Sequence, residues 1–247
     1  MLTHAIPAAQ GRQETLRRFP AMEQTEMVDY RQLSLKTLNE PRYSHVKLLL
    51  FWPSFGIVFY ILERVWIRDG YHIMSCSLDA HIPFCEWFVI PYFFWFIFII
   101  GMHIYTLLYD VPTFQKFIRY IAITYWASVA VYILFPNCQE FRPVEFTRDN
   151  WMVHVVQFLY GFDTNTNVCP SLHVVGSMAV MFAAWHSKKF STRGWKIAFG
   201  IMAFVISVST VFLRQHSVLD LLAAVPICLI AAYIVYGRED KRIKAQA

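Results

Sequence analysis

Charge is what this sequence has least of. Only 16% of its residues are Asp, Glu, Lys or Arg, where a soluble domain carries about a quarter. With 57% of residues hydrophobic and 17% aromatic, that deficit excludes an ordinary soluble domain, and the long uncharged runs point to a membrane. Cysteine is scarce too. The five cysteines form no CxxC pair and no zinc-ligand spacing, so no local structural zinc site is expected. A secretory leader is not expected either. Residues 1–42 are polar, and the first apolar run begins near Val46 and is followed by more such runs.

The charge that is present is unevenly placed. A net charge of +5 would suit a nucleic-acid partner, but the basic residues cluster beside apolar runs, which is the pattern of the positive-inside rule. No nucleic-acid partner is expected. Six apolar runs, near 46–66, 87–108, 117–136, 170–186, 195–213 and 216–236, each approach the ~20 residues that cross a bilayer. Pro53 and Gly56 are expected to kink the first. The expected fold is therefore all-α: a polytopic membrane protein of six transmembrane helices over 46–236, between tails at 1–45 and 237–247. With the N-terminus inside, most of the 22 Lys and Arg fall on inner segments. Both termini are then cytoplasmic, and the 137–169 loop and the turn at 214–216 face the extracytoplasmic side.

That topology gathers chemistry. Asp220 follows His216 by four residues, so on a helix it shares a face with His216, holds one ring nitrogen, and leaves the other free to act as nucleophile or base. Ionisable groups at a membrane helix end cost a few kcal/mol each to keep from water. In Asn167-Val168-Cys169-Pro170-Ser171-Leu172-His173, Pro170 is expected to start a helix. Ser171 and the free backbone N–H groups there suit an anion, and His173 one turn in can donate a proton to a departing oxygen. Two spans and a short inner turn separate His173 from His216, so both return to the outer level, where Arg142 also lies. Arg142 offers a fork for two phosphate oxygens, and Arg214 is a second candidate. A polar helix-to-helix pair at His216 and Asp220, and an interfacial histidine at 173, are the bland alternatives.

These residues resemble the type 2 phosphatidic acid phosphatase superfamily of integral membrane lipid-phosphate enzymes. The likeness runs at motif level over about 135–225. Pro170, Ser171, Leu172 and His173 match its Pro-Ser-x-His motif. Ser209, His216 and Asp220 match its third motif, with Thr210 in the place of an Arg. Arg142-Pro143 matches the end of its first motif, with Phe135 in the place of a Lys. The resemblance implies metal-independent phosphoryl transfer on a lipid-phosphate substrate, without a cofactor. His216 would attack phosphorus, Asp220 orient it, His173 serve as acid and then base, and Ser171 and Arg142 hold the phosphate oxygens, with Arg214 or Arg148 replacing the missing charges. The same departures resemble inositol phosphorylceramide and sphingomyelin synthases, in which a lipid hydroxyl captures the phospho-enzyme. A lipid phosphatase is the first expectation and a head-group transferase the alternative. A histidine–carboxylate iron or zinc site and a catalytically silent scaffold or transporter are readings from other classes.

The remaining segments carry less. Loop 67–86 is expected to be a solvated connector, with a cap over the site or a head-group site as the alternative, and 146–161 an interfacial helix near the substrate's entry route. Lys188, Lys189, Arg193 and Lys196 mark an inner loop beside anionic membrane lipids. Free thiols are expected, with a Cys138–Cys169 bridge the alternative. Neither the lipid nor the oligomeric state is legible.

Overall fold

The computed structural model describes residues 27–246 and, of these, the side chains of 27–237. The protein is mostly helical. Among the described residues, five helical segments are long and apolar enough to cross a membrane: Ser44–Val65, Glu86–Tyr109, Val111–Leu134, Arg193–Phe212 and Val218–Gly237. The remaining expected run, 170–186, gives a shorter helix, Leu172–His186.

Helix α1 (Phe51–Tyr60) is the middle of the first segment. A 3-10 turn, Ser44–Leu50, leads in, and a π-helical turn, Ile61–Val65, leads out. Pro53 lies in the first turn of α1, where a missing N–H costs least. Neither it nor Gly56 interrupts α1. Loop 67–86 holds strand β1 (His72–Ile73) and the short helix α2 (Ser77–His81). Helix α3 (Val89–Tyr109) follows, then α4 (Val111–Leu134). Helix α4 starts before the expected 117 because Asp110 caps it, accepting from the Thr113 N–H, and Pro112 suits its first turn. Lys116 and Arg119 therefore lie on the helix and not in a loop.

Strand β2 (Asn137–Cys138) and helix α5 (Trp151–Phe162) precede α6 (Leu172–His186), α7 (Arg193–Phe212) and α8 (Val218–Gln246). The backbone expected as a tail at 237–247 thus continues α8 as far as Gln246. Helix α6 has 15 residues, ~22 Å at 1.5 Å per residue, short of the ~30 Å hydrocarbon core. The shortfall is at Pro170 and Ser171, which are not helical. Ser171 is the N-cap, with extended ψ.

This short helix lies at the centre of the core. Helix α6 packs against α3, α4, α7 and α8, and its Val175, Ala179, Val180, Ala183 and Ala184 are completely buried. Its small residues let neighbours approach. At Gly176 an added Cβ would lie 2.8 Å from Trp95 Nε1 and 3.0 Å from the Tyr125 hydroxyl. Helix α4 supplies the bulk, with Phe114, Phe117, Tyr120, Ile121, Tyr125 and Tyr132 at most 2% exposed.

The expected N-terminal tail is part of the fold from residue 27 onward, while 1–26 lie outside the described residues. The Val28 N–H donates to the Leu108 carbonyl and the Tyr30 hydroxyl to that of Leu107. At the opposite end of the helices the loops are stitched together. β1 pairs in parallel with β2, Cys138 bridges to Thr166, and the Asn167 N–H donates to the Asn137 carbonyl. Loop 67–86 is solvated over much of its length, as expected, but it is also tied to the fold by β1 and by Asp79. Asp79 at its tip is only 4% exposed.

Candidate active site

Helix α7 ends in a left-handed turn that aims His216. The Gln215 N–H donates to the Thr210 carbonyl and the Arg214 N–H to that of Val211, the paired bonds of a Schellman cap. Arg214 takes the left-handed position with φ 55°, where glycine would be unstrained; a side chain there costs ~1 kcal/mol or more. Its guanidinium compensates by donating to the carbonyls of Asp79 and Ile82. Arg214, expected on phosphate or lipid head groups, is thus a clamp between the α7–α8 turn and loop 67–86.

His216 precedes α8 and is not on it. Ser217 is the N-cap, and Asp220 reaches back so that its Oδ2 accepts from the Ser217 N–H at 2.9 Å and meets His216 Nδ1 at 3.1 Å. This is the carboxylate half of a capping box, with an imidazole added. Loop 67–86 completes it. Asp79 Oδ1 accepts from the Val218 N–H at 2.9 Å and Oδ2 from the Ser217 hydroxyl at 2.6 Å. Burial raises the Asp79 carboxyl, but these bonds and those from Cys76 outweigh it and hold its pKa below the usual value. The i,i+4 pairing read from sequence is present, but on a turn and a helix start.

The Pro-Ser-x-His segment arrives from the other side. Asn137 brackets it, donating from Nδ2 to the Cys169 carbonyl and accepting from the Cys169 N–H, and the Tyr132 hydroxyl donates to the Pro170 carbonyl at 2.7 Å. The Ser171 N–H donates to the Asp220 carbonyl, which ties the two motifs together directly. Ser171 is completely buried, and its Oγ has no partner among the described residues. His173 stacks obliquely on Tyr92 and Trp95 at 4.4 and 4.7 Å, and its ring lies 5.7 Å from that of His216. Neither His173 nitrogen has a partner among the described residues.

Both histidines line one cavity, open at its mouth. Phe59, Tyr132, Val168 and Leu172 make its apolar wall, and Asp163, Thr164, Thr166, Asn167 and Gln215 its polar one. Arg142 stands behind this wall. It donates to the carbonyls of Tyr160, Asp163 and Thr164 and to Gln215 Oε1, and burial pulls its pKa down. Arg148 pairs instead with Glu86 at 2.9 Å. Burial raises the Asp163 carboxyl against the pull of His216 and Arg142, and Asp163 accepts from the Tyr92 hydroxyl at 3.2 Å.

The structure thus brings together His216, Asp220, His173 and Ser171, keeps Arg142 one layer out, and turns Arg214 away. Sequence reasoning missed Gln215, Asp163, Tyr92 and Glu63. Glu63 sits in the π-helical turn and accepts from Asn167 Nδ2 at 2.6 Å. A carboxylate at the end of an apolar run was its available signal. The cysteines are free thiols at all five positions, which all lie within the described residues. No family model, curated protein or solved structure matches the chain.

Proposed function

We propose that the protein is an integral membrane phosphatase of lipid phosphates that works through a phosphohistidine. The observation that carries this reading is the facing pair. His216 has Nδ1 held by Asp220, and His173, with both nitrogens unpartnered among the described residues, faces it across the same cavity. The Pro-Ser-x-His and Ser-x-x-x-x-x-x-His-x-x-x-Asp motifs support it by resemblance to the type 2 phosphatidic acid phosphatase superfamily.

In this reading His216 Nε2 attacks phosphorus. The bond from phosphorus to the lipid oxygen breaks, and His173 gives that oxygen its proton. Positive charge gathers on the His216 ring and is balanced by Asp220 through Nδ1–H. Water then attacks, His173 takes back a proton, and the phosphorus–nitrogen bond breaks to release phosphate. Positioning and charge stabilisation supply most of the barrier reduction in such transfers. Helix α6 is the fourth of six spans, shortened because it is enclosed by other helices, both termini are cytoplasmic, and the cavity opens on the extracytoplasmic side. The distribution of Lys and Arg supports that sidedness.

A second reading replaces water by a lipid alcohol. The occupants of the two missing-charge positions favour it: Phe135 stacks on His72 at 4.2 Å, and Thr210 is completely buried, a departure shared with head-group transferases. The test is phosphate release by purified protein in detergent, with EDTA, from a panel of lipid phosphates. Chelator-resistant release that His216→Ala abolishes supports the phosphatase. Release from none of them, with transfer of a labelled head group to a lipid alcohol, would replace it by the transferase.

A further inference from the structure

A phosphate group brought to His216 needs donors for its oxygens, and the cations expected to supply them are engaged elsewhere. Arg148 is on Glu86, Arg214 on two loop carbonyls, and both terminal nitrogens of Arg142 on three carbonyls and Gln215 Oε1. Gln215 is different. It lines the cavity next to His216 and is 2% exposed. An arginine can only donate, so the amide must turn its oxygen to Arg142 and its NH2 away. That NH2 has no partner among the described residues. The backbone at this residue is fixed, since the Gln215 N–H donates to the Thr210 carbonyl.

We infer that Gln215 Nε2 donates to a non-bridging oxygen of the substrate phosphate, with Ser171 Oγ as its companion, and that Arg142 is a positioning residue that sets the amide's orientation. A neutral amide thereby fills the place of the motif arginine that Thr210 replaces. The inference rests on the phosphatase or transferase reading of the cavity.

Two variants test it. Gln215→Glu keeps the shape and the acceptor for Arg142 but has no N–H. Gln215→Met removes the N–H without adding charge. Turnover of a lipid phosphate and thermal protection by inorganic phosphate are measured in detergent for both and for the wild type. Donation to substrate predicts that kcat/KM falls ~100-fold in both variants, as for loss of one preorganised donor, and that phosphate raises the Tm of the wild type but of neither variant. If Gln215 only anchors Arg142, Gln215→Glu retains turnover and phosphate protection, and the inference is overturned while the catalytic reading stands. A wild type that turns over no lipid phosphate by either route defeats the catalytic reading, and the phosphate-dependent Tm still decides whether Gln215 binds the anion. A wild-type Tm unmoved by phosphate overturns the inference.

Discussion

The two segments that carry the histidines are secured in opposite ways. The 213–220 turn is held by polar bonds: the Schellman pair, the Arg214 clamp, the Asp220 capping carboxylate and Asp79 from loop 67–86. The 171–176 helix start is held by packing, with His173 against Tyr92 and Trp95, and Gly176 pressed under Trp95 and Tyr125. A nucleophile needs one tautomer and one direction, which directional bonds enforce. An acid–base group must exchange its proton with the substrate, so its nitrogens are better left unbonded and its ring fixed by apolar faces.

Breaking the polar side at His216, the proposed nucleophile, should have the largest effect. His216→Ala should lower turnover at least ~10⁴-fold in a protein that still unfolds cooperatively, measured by phosphate release and thermal unfolding of the same preparation. Asp220→Asn should cost ~10²–10⁴-fold in kcat and should lower the Tm, because Asp220 caps α8. His173→Ala should cost ~10²–10⁴-fold and lower the Tm through the space left against Tyr92 and Trp95, whereas His173→Phe, which keeps a ring there, should lose turnover with a much smaller Tm change. Equal Tm losses in Asp220→Asn and His173→Phe would erase the distinction between the segments.

The comparison also explains what the sequence made legible. His216, Asp220, Ser171 and His173 could be read because each sits at fixed spacing on a local motif. The five long helices were legible from unbroken apolar runs. Arg214 was misread because a left-handed residue at a helix end is decided by what its side chain finds, here two carbonyls more than a hundred residues earlier in the chain. Asp79 gave no local signal, as its partners Ser217 and Val218 are equally distant. The shortness of α6 was hidden as well, since Pro170 and Ser171 read as a helix start but are held out of the helix by the bonds from Tyr132 to the Pro170 carbonyl and from the Ser171 N–H to Asp220.

Smaller perturbations sharpen the same contrast. On the packed side, Gly176→Ala places a Cβ against Trp95 and Tyr125 and should cost ~1–3 kcal/mol, with turnover falling as Trp95 shifts from His173; denaturant unfolding and phosphate release check both. On the polar side, Asp79→Asn should cost ~1–3 kcal/mol, the scale of hydrogen bonds to a charged group. The Asp79 pKa is lower folded than unfolded, so its stabilisation is present above the usual carboxylate range and is lost as the pH falls through that range toward the folded value. The stability gap between wild type and Asp79→Asn should therefore narrow on acidification. Smallest is Cys169, whose thiol burial and the neighbouring Asp220 carboxylate push up to about 12. It should resist maleimide at neutral pH, and mass spectrometry should find the label on half-buried Cys76 and Cys85 first.

The central claim is that phosphorus becomes bonded to His216. Purified protein turning over a radiolabelled lipid phosphate, quenched in alkaline detergent and digested, measures this directly. The account predicts a label on the peptide that holds His216, stable to alkali, released by acid and absent from His216→Ala. Turnover that leaves no such label, or a label that persists in His216→Ala, would contradict it.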